Sequence, residues 1–318
     1  MAKYRHSLPH LENTTFLSDG GMETTLIFHH GIDLPHFASF VLLDTPDGRK
    51  HLIDYYESYL TIARDNRVGF VLDTATWRAN ADWGSKLGYD AKGLMAINTA
   101  AVAMLESLRD TWETSETPCV ISGAIGPRGD GYKAGQMEAH EAEVYHQPQI
   151  EVFAVAGADM VTAYTMNTID EAIGIARAAK VTGIPCAISF TVETDGRLAT
   201  GASLQEAIER TDAETDSYPI YYMINCAHPV HFESALKAGE PWLSRIHGVK
   251  ANASARSHAE LDESETLDAG DPLDLGRRYR DLRQSFPTMR ILGGCCGTDH
   301  RHIAAICEAC LPPRALSA

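Results

Sequence analysis

Ile291-Leu292-Gly293-Gly294-Cys295-Cys296-Gly297-Thr298-Asp299 is the stretch from which the rest of this chain is read. The apolar run from Met289 to Leu292 predicts a short buried strand. Two glycines then let the backbone turn tightly, and Gly297-Thr298-Asp299 opens a helix. Adjacent cysteines rarely bridge to each other, because their disulfide closes a strained ring. Two thiolates on a strand-to-helix turn suit one soft metal ion instead, and Zn2+ is the commonest. A third donor is offered by Cys226, which follows the apolar run Pro219-Ile220-Tyr221-Tyr222-Met223-Ile224-Asn225. A lone cysteine after a strand is ordinarily a small buried hydrophobe. The Gly-Gly-Cys-Cys-Gly turn, with a third cysteine at an equivalent strand end, argues for a ligand set. No fourth cysteine ends a strand, so the expectation is zinc on Cys226, Cys295 and Cys296 with its fourth position open, a reactive metal rather than a structural one.

Working outward, short apolar runs alternate with longer amphipathic ones along the whole chain. Strands are predicted over residues 15–18, 70–73, 119–123, 160–164, 186–191, 220–225, 246–249 and 289–292. Helices are predicted over residues 53–65, 91–109, 138–156, 168–182, 203–211, 229–238, 272–285 and 298–310. Capping residues before acidic first turns, at Thr168 and Ser203, and helix stops at Gly183 and Gly239 support these bounds. Eight strands alternating with eight helices imply a parallel sheet with right-handed crossovers, and the count favours a closed (β/α)8 TIM barrel. No dinucleotide fingerprint follows the first strand. With 318 residues and 44% apolar content, the expectation is one barrel domain over residues 1–318.

A barrel of this kind carries its chemistry at the C-terminal ends of its strands. Those ends here hold Asp19, Asp73-Thr74, Gly126-Pro127-Arg128, Tyr164, Glu193, Asn225-Cys226, Asn252 and Cys295-Cys296. All three metal-ligand candidates would face one mouth. The stretch from Ala253 to Asp271 and the glycine-rich loop from Gly126 to Tyr132 are candidate covers for it.

Lys and Arg number 27 against 43 Asp and Glu, a formal net charge of -16. That field repels phosphate backbones and anionic lipid, so nucleic acid and membrane surfaces are not expected partners, and a cationic small molecule is tolerated. The sequence opens without an apolar segment, and seven cysteines do not read as a disulfide framework. Both features point to the cytoplasm, where reduction keeps metal-binding thiolates available. Oligomeric state is not readable from the sequence.

Four stretches resemble the zinc-dependent homocysteine S-methyltransferase family, in order and over roughly residues 15–310. They are Ser18-Asp19-Gly20-Gly21-Met22-Glu23-Thr24, Gly123-Ala124-Ile125-Gly126-Pro127, Ile224-Asn225-Cys226 and Gly293-Gly294-Cys295-Cys296-Gly297-Thr298. The resemblance implies a barrel, zinc on the three cysteines, and methyl transfer from a sulfonium or quaternary ammonium donor to a thiol, homocysteine giving methionine. It further implies substrate contacts from Asp19, Gly20, Glu23, Asp73, Thr74, Tyr164, Asn225 and Asn252.

Four positions depart from the family pattern. The family's fourth strand ends in Glu-Thr, whose carboxylate holds the amino group of homocysteine; here the pair is Tyr164-Thr165. Its second strand offers Glu-Thr, here Asp73-Thr74; its Gly after Gly-Met is Glu23; and its Pro-Asn after the seventh strand is Ala251-Asn252. These changes open three alternatives. Tyr164 redirects the chemistry to a different thiol or selenol, Asp73 or Glu23 takes over the ammonium, or the chain is a non-catalytic zinc- or thiol-binding protein. Lesser candidates are Cys307 and Cys310 as a redox or second-metal pair, His29, His30 and His36 as a loop cluster, His228 as an alternative ligand, and Trp77 as a face for a cationic donor.

Overall fold

Eight strands close on themselves in sequence order. They are β1 (Phe16–Leu17), β2 (Gly69–Asp73), β3 (Cys119–Ile125), β4 (Met160–Met166), β5 (Cys186–Phe190), β6 (Tyr221–Asn225), β7 (Ile246–Ala251) and β8 (Ile291–Gly294). Every pairing is parallel, and β8 returns to β1 through Phe16 opposite Ile291 and Leu17 opposite Leu292. The computed structural model describes residues 2–264 and 266–311. The barrel is the predicted (β/α)8 architecture.

Alternation along the strands divides the core in two. Phe16, Val71, Val120, Ala124, Met160, Tyr164, Ala187, Tyr221, Met223 and Ile291 fill the barrel interior. Their neighbours, among them Leu17, Leu72, Ile121, Val161, Ile188, Ile224, Val249 and Leu292, face the surrounding helices. Successive side chains of a strand point to opposite faces, so a strand covered on both sides reads as a continuous apolar run. Six of the predicted helices are present, Pro272–Ser285 with the predicted ends and the others with shifted ones, among them Ala91–Trp112, Ala139–Ala156 and Ile169–Thr182.

Two helix predictions needed larger correction. The first crossover helix starts at Pro46 rather than Ile53, because Thr45 caps it by accepting from the Gly48 N–H and Pro46 sits where no N–H is required. The predicted helix over 229–238 is only Pro229–Phe232, followed by a 3-10 turn, Glu233–Ala235. Gly239 has φ +95° and Pro241 begins another 3-10 turn, so the chain bends where the periodicity suggested continuation. The strand over 246–249 also runs two residues longer than predicted, to Ala251. That extension places Lys250 on the barrel wall.

Candidate active site

The vicinal cysteines stand on a turn held from several sides. The Cys295 N–H donates to the Ala251 carbonyl (2.8 Å), the Gly294 N–H to the Asp19 carbonyl (2.8 Å) and the Ala253 N–H to the Cys296 carbonyl (3.0 Å). The Thr298 hydroxyl closes the loop onto the Cys295 carbonyl at 2.7 Å. Gly297 turns the chain at φ +78°, a region that glycine enters freely. Gly21 lets the first strand-to-helix turn approach, since a Cβ there would lie 2.5 Å from the Cys295 carbonyl oxygen.

Cys226 reaches the same place from β6, and its N–H donates to the Lys250 carbonyl at 3.0 Å. Its φ of 53° is unusual for a residue with a side chain, and Thr165, at the end of β4, is likewise left-handed at φ 62°. Asn225 holds that second distortion in place. Its Oδ1 accepts from the Thr165 N–H (2.9 Å) and from Ser189 Oγ (2.6 Å), and its Nδ2 donates to Thr165 Oγ1 (2.9 Å). Strained conformations of this kind persist only where the surroundings over-determine them.

The Cys226, Cys295 and Cys296 sulfurs lie within 4.8 Å of one another, the one such donor group among the described residues. Cys226 and Cys295 are joined as a disulfide, with Cα atoms 5.3 Å apart. β6 and β8 both pair with β7, so their ends fall within bridging reach of each other. With that bond reduced, the donor set fits zinc, whose bonds of about 2.3 Å to tetrahedral sulfurs set those sulfurs roughly 3.8 Å apart. Tyr132 Oη lies 3.7 Å from Cys296 Sγ, and the Tyr132 ring stacks on His258 at 4.0 Å. The His258 Nε2 in turn lies 2.6 Å from the Cys226 carbonyl oxygen.

The sulfurs line one end of a cavity of about 590 Å³, the size range of small-molecule sites. Asp19, Gly20, Glu23, Asp73, Thr74, Tyr164 and Asn225 line it as expected. Asn252 does not; its Nδ2 donates to the Cys226 carbonyl (3.0 Å), so it braces a cysteine rather than contacting the cavity. Thr74 is engaged with the Ala124 N–H (2.9 Å) and with Thr76 Oγ1 (2.6 Å). Residues of both predicted covers reach the cavity: Asp130 and Tyr132 from one, and Leu261, Leu267 and Asp268 from the other. Glu265, within the second cover, lies outside the described residues.

The deep acidic groups form one network around a lysine the sequence reading missed. Lys250 Nζ donates to Asp19 Oδ1 (2.5 Å), Ser18 Oγ (3.1 Å) and Asp73 Oδ2 (3.2 Å). Asp19 Oδ2 accepts from Tyr55 (3.0 Å), and Asp73 Oδ2 accepts from Tyr164 (2.7 Å) and Ser18 (3.1 Å). Burial opposes the charge on Lys250, but Asp19 and Asp73 outweigh it and hold the ammonium above the usual lysine range. Burial pushes the Asp73 carboxyl up; Lys250 pulls against that and neighbouring Asp19 adds to it. Burial also raises the Glu23 carboxyl, whose Oε1 accepts from Ser39 Oγ at 2.8 Å.

Of the lesser candidates, His36 and Trp77 line the cavity, and the face of Trp77 carries the Arg78 guanidinium 4.3 Å from its ring centroid. His228 instead caps a short helix, and Cys307 and Cys310 lie in the last helix, outside the donor group. The apolar run by itself predicts a strand ending at Val249, which leaves Lys250 outside it, whereas β7 runs to Ala251. A cation two residues past Gly248 at a barrel mouth was the available signal.

The fold and site have counterparts among known proteins. The rat betaine–homocysteine S-methyltransferase 1 is 24% identical over 230 residues, 64% of this chain. That match spans little more than half, 54%, of the rat enzyme's own length. The Escherichia coli homocysteine S-methyltransferase is 24% identical over 314 residues, covering 91% of this chain and 93% of that one. Crystal structures of the E. coli homocysteine methyltransferase MmuM share the fold. The oxidized form has a TM-score of 0.72 at 19% identity, covering 96% of this chain and 99% of that one. The metallated form has 0.69 at 20% identity, covering 95% and 98%. The homocysteine S-methyltransferase family profile matches residues 16–310, from the first strand of the barrel to the last residue of its closing helix, so this chain belongs to that family.

Proposed function

We propose that the protein transfers a methyl group from a sulfonium or quaternary ammonium donor to a thiol. The observation that carries this reading is the convergence of Cys226, Cys295 and Cys296 at one end of a small-molecule cavity at the strand ends. Homocysteine, the acceptor in the names of the relatives, is the first thiol to test. Reduced, the three cysteines would hold zinc, and a zinc ion so bound supplies acidification of a thiol that otherwise titrates near about 8.5.

The chain's own residues provide charge, position and dryness. Asp19, Glu23, Asp73, Asp130 and Asp268 line the cavity against Lys250 and Arg78, an acidic balance that attracts an onium donor. In the transfer, a sulfur lone pair of the acceptor forms the new S–CH3 bond. The bond from that methyl to the donor breaks, its electron pair goes to the donor's sulfur or nitrogen, and the acceptor's S–H proton leaves to solvent. An onium loses its charge as it departs, so holding the two partners in line and excluding water is the main demand on the protein. Tyr132, Trp77, Met22 and Leu261 supply apolar lining for that purpose.

Among the described residues no helix is long and apolar enough to cross a membrane. We place the enzyme in the cytoplasm, where reduction maintains the cysteine thiols, and read residues 1–318 as one catalytic barrel. The test is methylation of homocysteine and of other thiols by S-methylmethionine, using reduced protein loaded with zinc. Turnover that is lost in Cys296→Ala, with parallel loss of bound zinc, is the expected result. Zinc-loaded protein that methylates no thiol would refute the catalytic reading and leave a zinc- or thiol-binding protein.

A further inference from the structure

The deep end of the cavity is already supplied with a cation. Lys250 belongs to the protein, is buried, and sits among Asp19, Asp73 and Ser18 with its Nζ 4.9 Å from the centroid of the Tyr164 ring. Both oxygens of Asp19 and one of Asp73 are engaged by Lys250, Tyr55, Tyr164 and Ser18. The seat adjoins the sulfurs. Lys250 pairs in register with Asn225 on one side and Gly293 on the other, each a residue or two before a metal-ligand cysteine. A ligand ammonium entering between Asp19 and Asp73 would meet a resident ammonium and, of the four oxygens of that pair, only Asp73 Oδ1 unengaged. Two unit charges of the same sign repel when brought together in a half-dry pocket, where the low dielectric screens them poorly.

The other cation of the lining is differently placed. Arg78 is sandwiched between Trp77 and Trp83, its guanidinium carbon 4.3 and 3.6 Å from their centroids. Its Nη1 donates to the Gly129 carbonyl (3.2 Å), while its buried Nε has no hydrogen-bond partner. A half-buried guanidinium with an unused N–H is a natural receptor for a carboxylate.

We propose that Lys250 is a specificity-determining residue. It fills with the protein's own ammonium the seat beside Asp19 and Asp73, so the preferred acceptor is a thiol that carries a carboxylate but no ammonium group. The proposal rests on the thiol-methyltransferase reading for its physiological meaning, but it is a statement about binding and is tested as one. Homocysteine and 4-mercaptobutanoate differ only in the amine, as do their methylated products, methionine and 4-(methylthio)butanoate.

The experiment measures, by calorimetry on the reduced full chain, the Kd of the two thioether products for the wild type and for Lys250→Met. It also measures kcat/KM for the two thiols with S-methylmethionine as donor. The wild type is expected to favour the amine-free member of each pair by about tenfold or more, the scale of one unpaired or repelled charge. Lys250→Met, which leaves Asp19 and Asp73 without their cation, is expected to reverse the order. A wild type that binds methionine as tightly as 4-(methylthio)butanoate, or more tightly, overturns the proposal whether or not Lys250→Met folds. If the binding preference holds while neither thiol is methylated, the specificity inference stands and the catalytic reading falls.

Discussion

At the closed floor of the barrel, opposite the site, His10 tests how dry the interior is. Its ring is 2% exposed, packs edge-on against Phe16 and Tyr221 at 5.6 and 5.5 Å, and has no hydrogen-bond partner on either nitrogen. Burial, with a smaller contribution from His247, lowers its pKa from 6.5 to about 3. The folded state therefore releases its proton more readily than the unfolded state. Between about pH 6.5 and pH 3 the unfolded chain binds more protons at this site, so stability is fully present above the unfolded pKa and declines as pH falls. At about pH 5 the unfolded imidazole is almost fully protonated and the folded one is not. At about 1.4 kcal/mol per pH unit, the loss from His10 alone is roughly 2 kcal/mol relative to about pH 8. His10→Leu removes this linkage while keeping an apolar filler of similar size. The assay is urea unfolding of wild type and variant at both pH values, with the linear slope checked for constancy. The wild type should lose about 2 kcal/mol more than the variant on acidification. Equal losses would mean that water or a counter-charge reaches the ring in the native state, and the argument from burial would be wrong.

Three other perturbations follow from the geometry. Gly21→Ala places a Cβ 2.5 Å from the Cys295 carbonyl. It should weaken zinc binding by about tenfold, read by competition with a chromophoric chelator, at a stability cost of about 1–3 kcal/mol. Asp159 accepts from Arg109 (2.8 Å), the Ile121 N–H (2.9 Å) and the Tyr4 N–H (2.7 Å), with the ion pair buried. Asp159→Ala should therefore cost about 3–5 kcal/mol in denaturant unfolding by stranding the guanidinium. Tyr279 links the ends of β7 and β8 by accepting from the Ala251 N–H (2.8 Å) and donating to the Gly293 carbonyl (2.6 Å). Tyr279→Phe should lower stability by about 2 kcal/mol and speed amide exchange at Ala251, because two buried backbone groups lose their partner.

The legible parts of this protein share a property: their signal is local. The glycine turn before Cys295 and Cys296, and the apolar run before Cys226, each announce a strand end within a few residues, so the barrel and its sulfur cluster could both be read from the sequence. Roles that depend on what lies across the barrel were read less well. Asn225 lines the cavity as expected, but both ends of its amide are engaged with Thr165 on β4 and Ser189 on β5. Asn252 was placed with it on family resemblance, but it points at the backbone of Cys226. Tyr164 stands in the sequence where the family has a carboxylate; only the structure shows its hydroxyl on Asp73.

The sequence by itself determined the eight-fold alternation, the mouth at which the chemistry sits and the three sulfur donors, because strand period, turn glycines and cysteine spacing act over a few residues. Only the tertiary structure decided the charge of the pocket. Lys250 meets Asp19 and Asp73 across separations of 231 and 177 residues, and no short-range pattern encodes which side chains a closed barrel brings face to face. Its ammonium is tolerable there because closure delivers two carboxylates to the same buried point, and that pairing changes which ligands the cavity can accept.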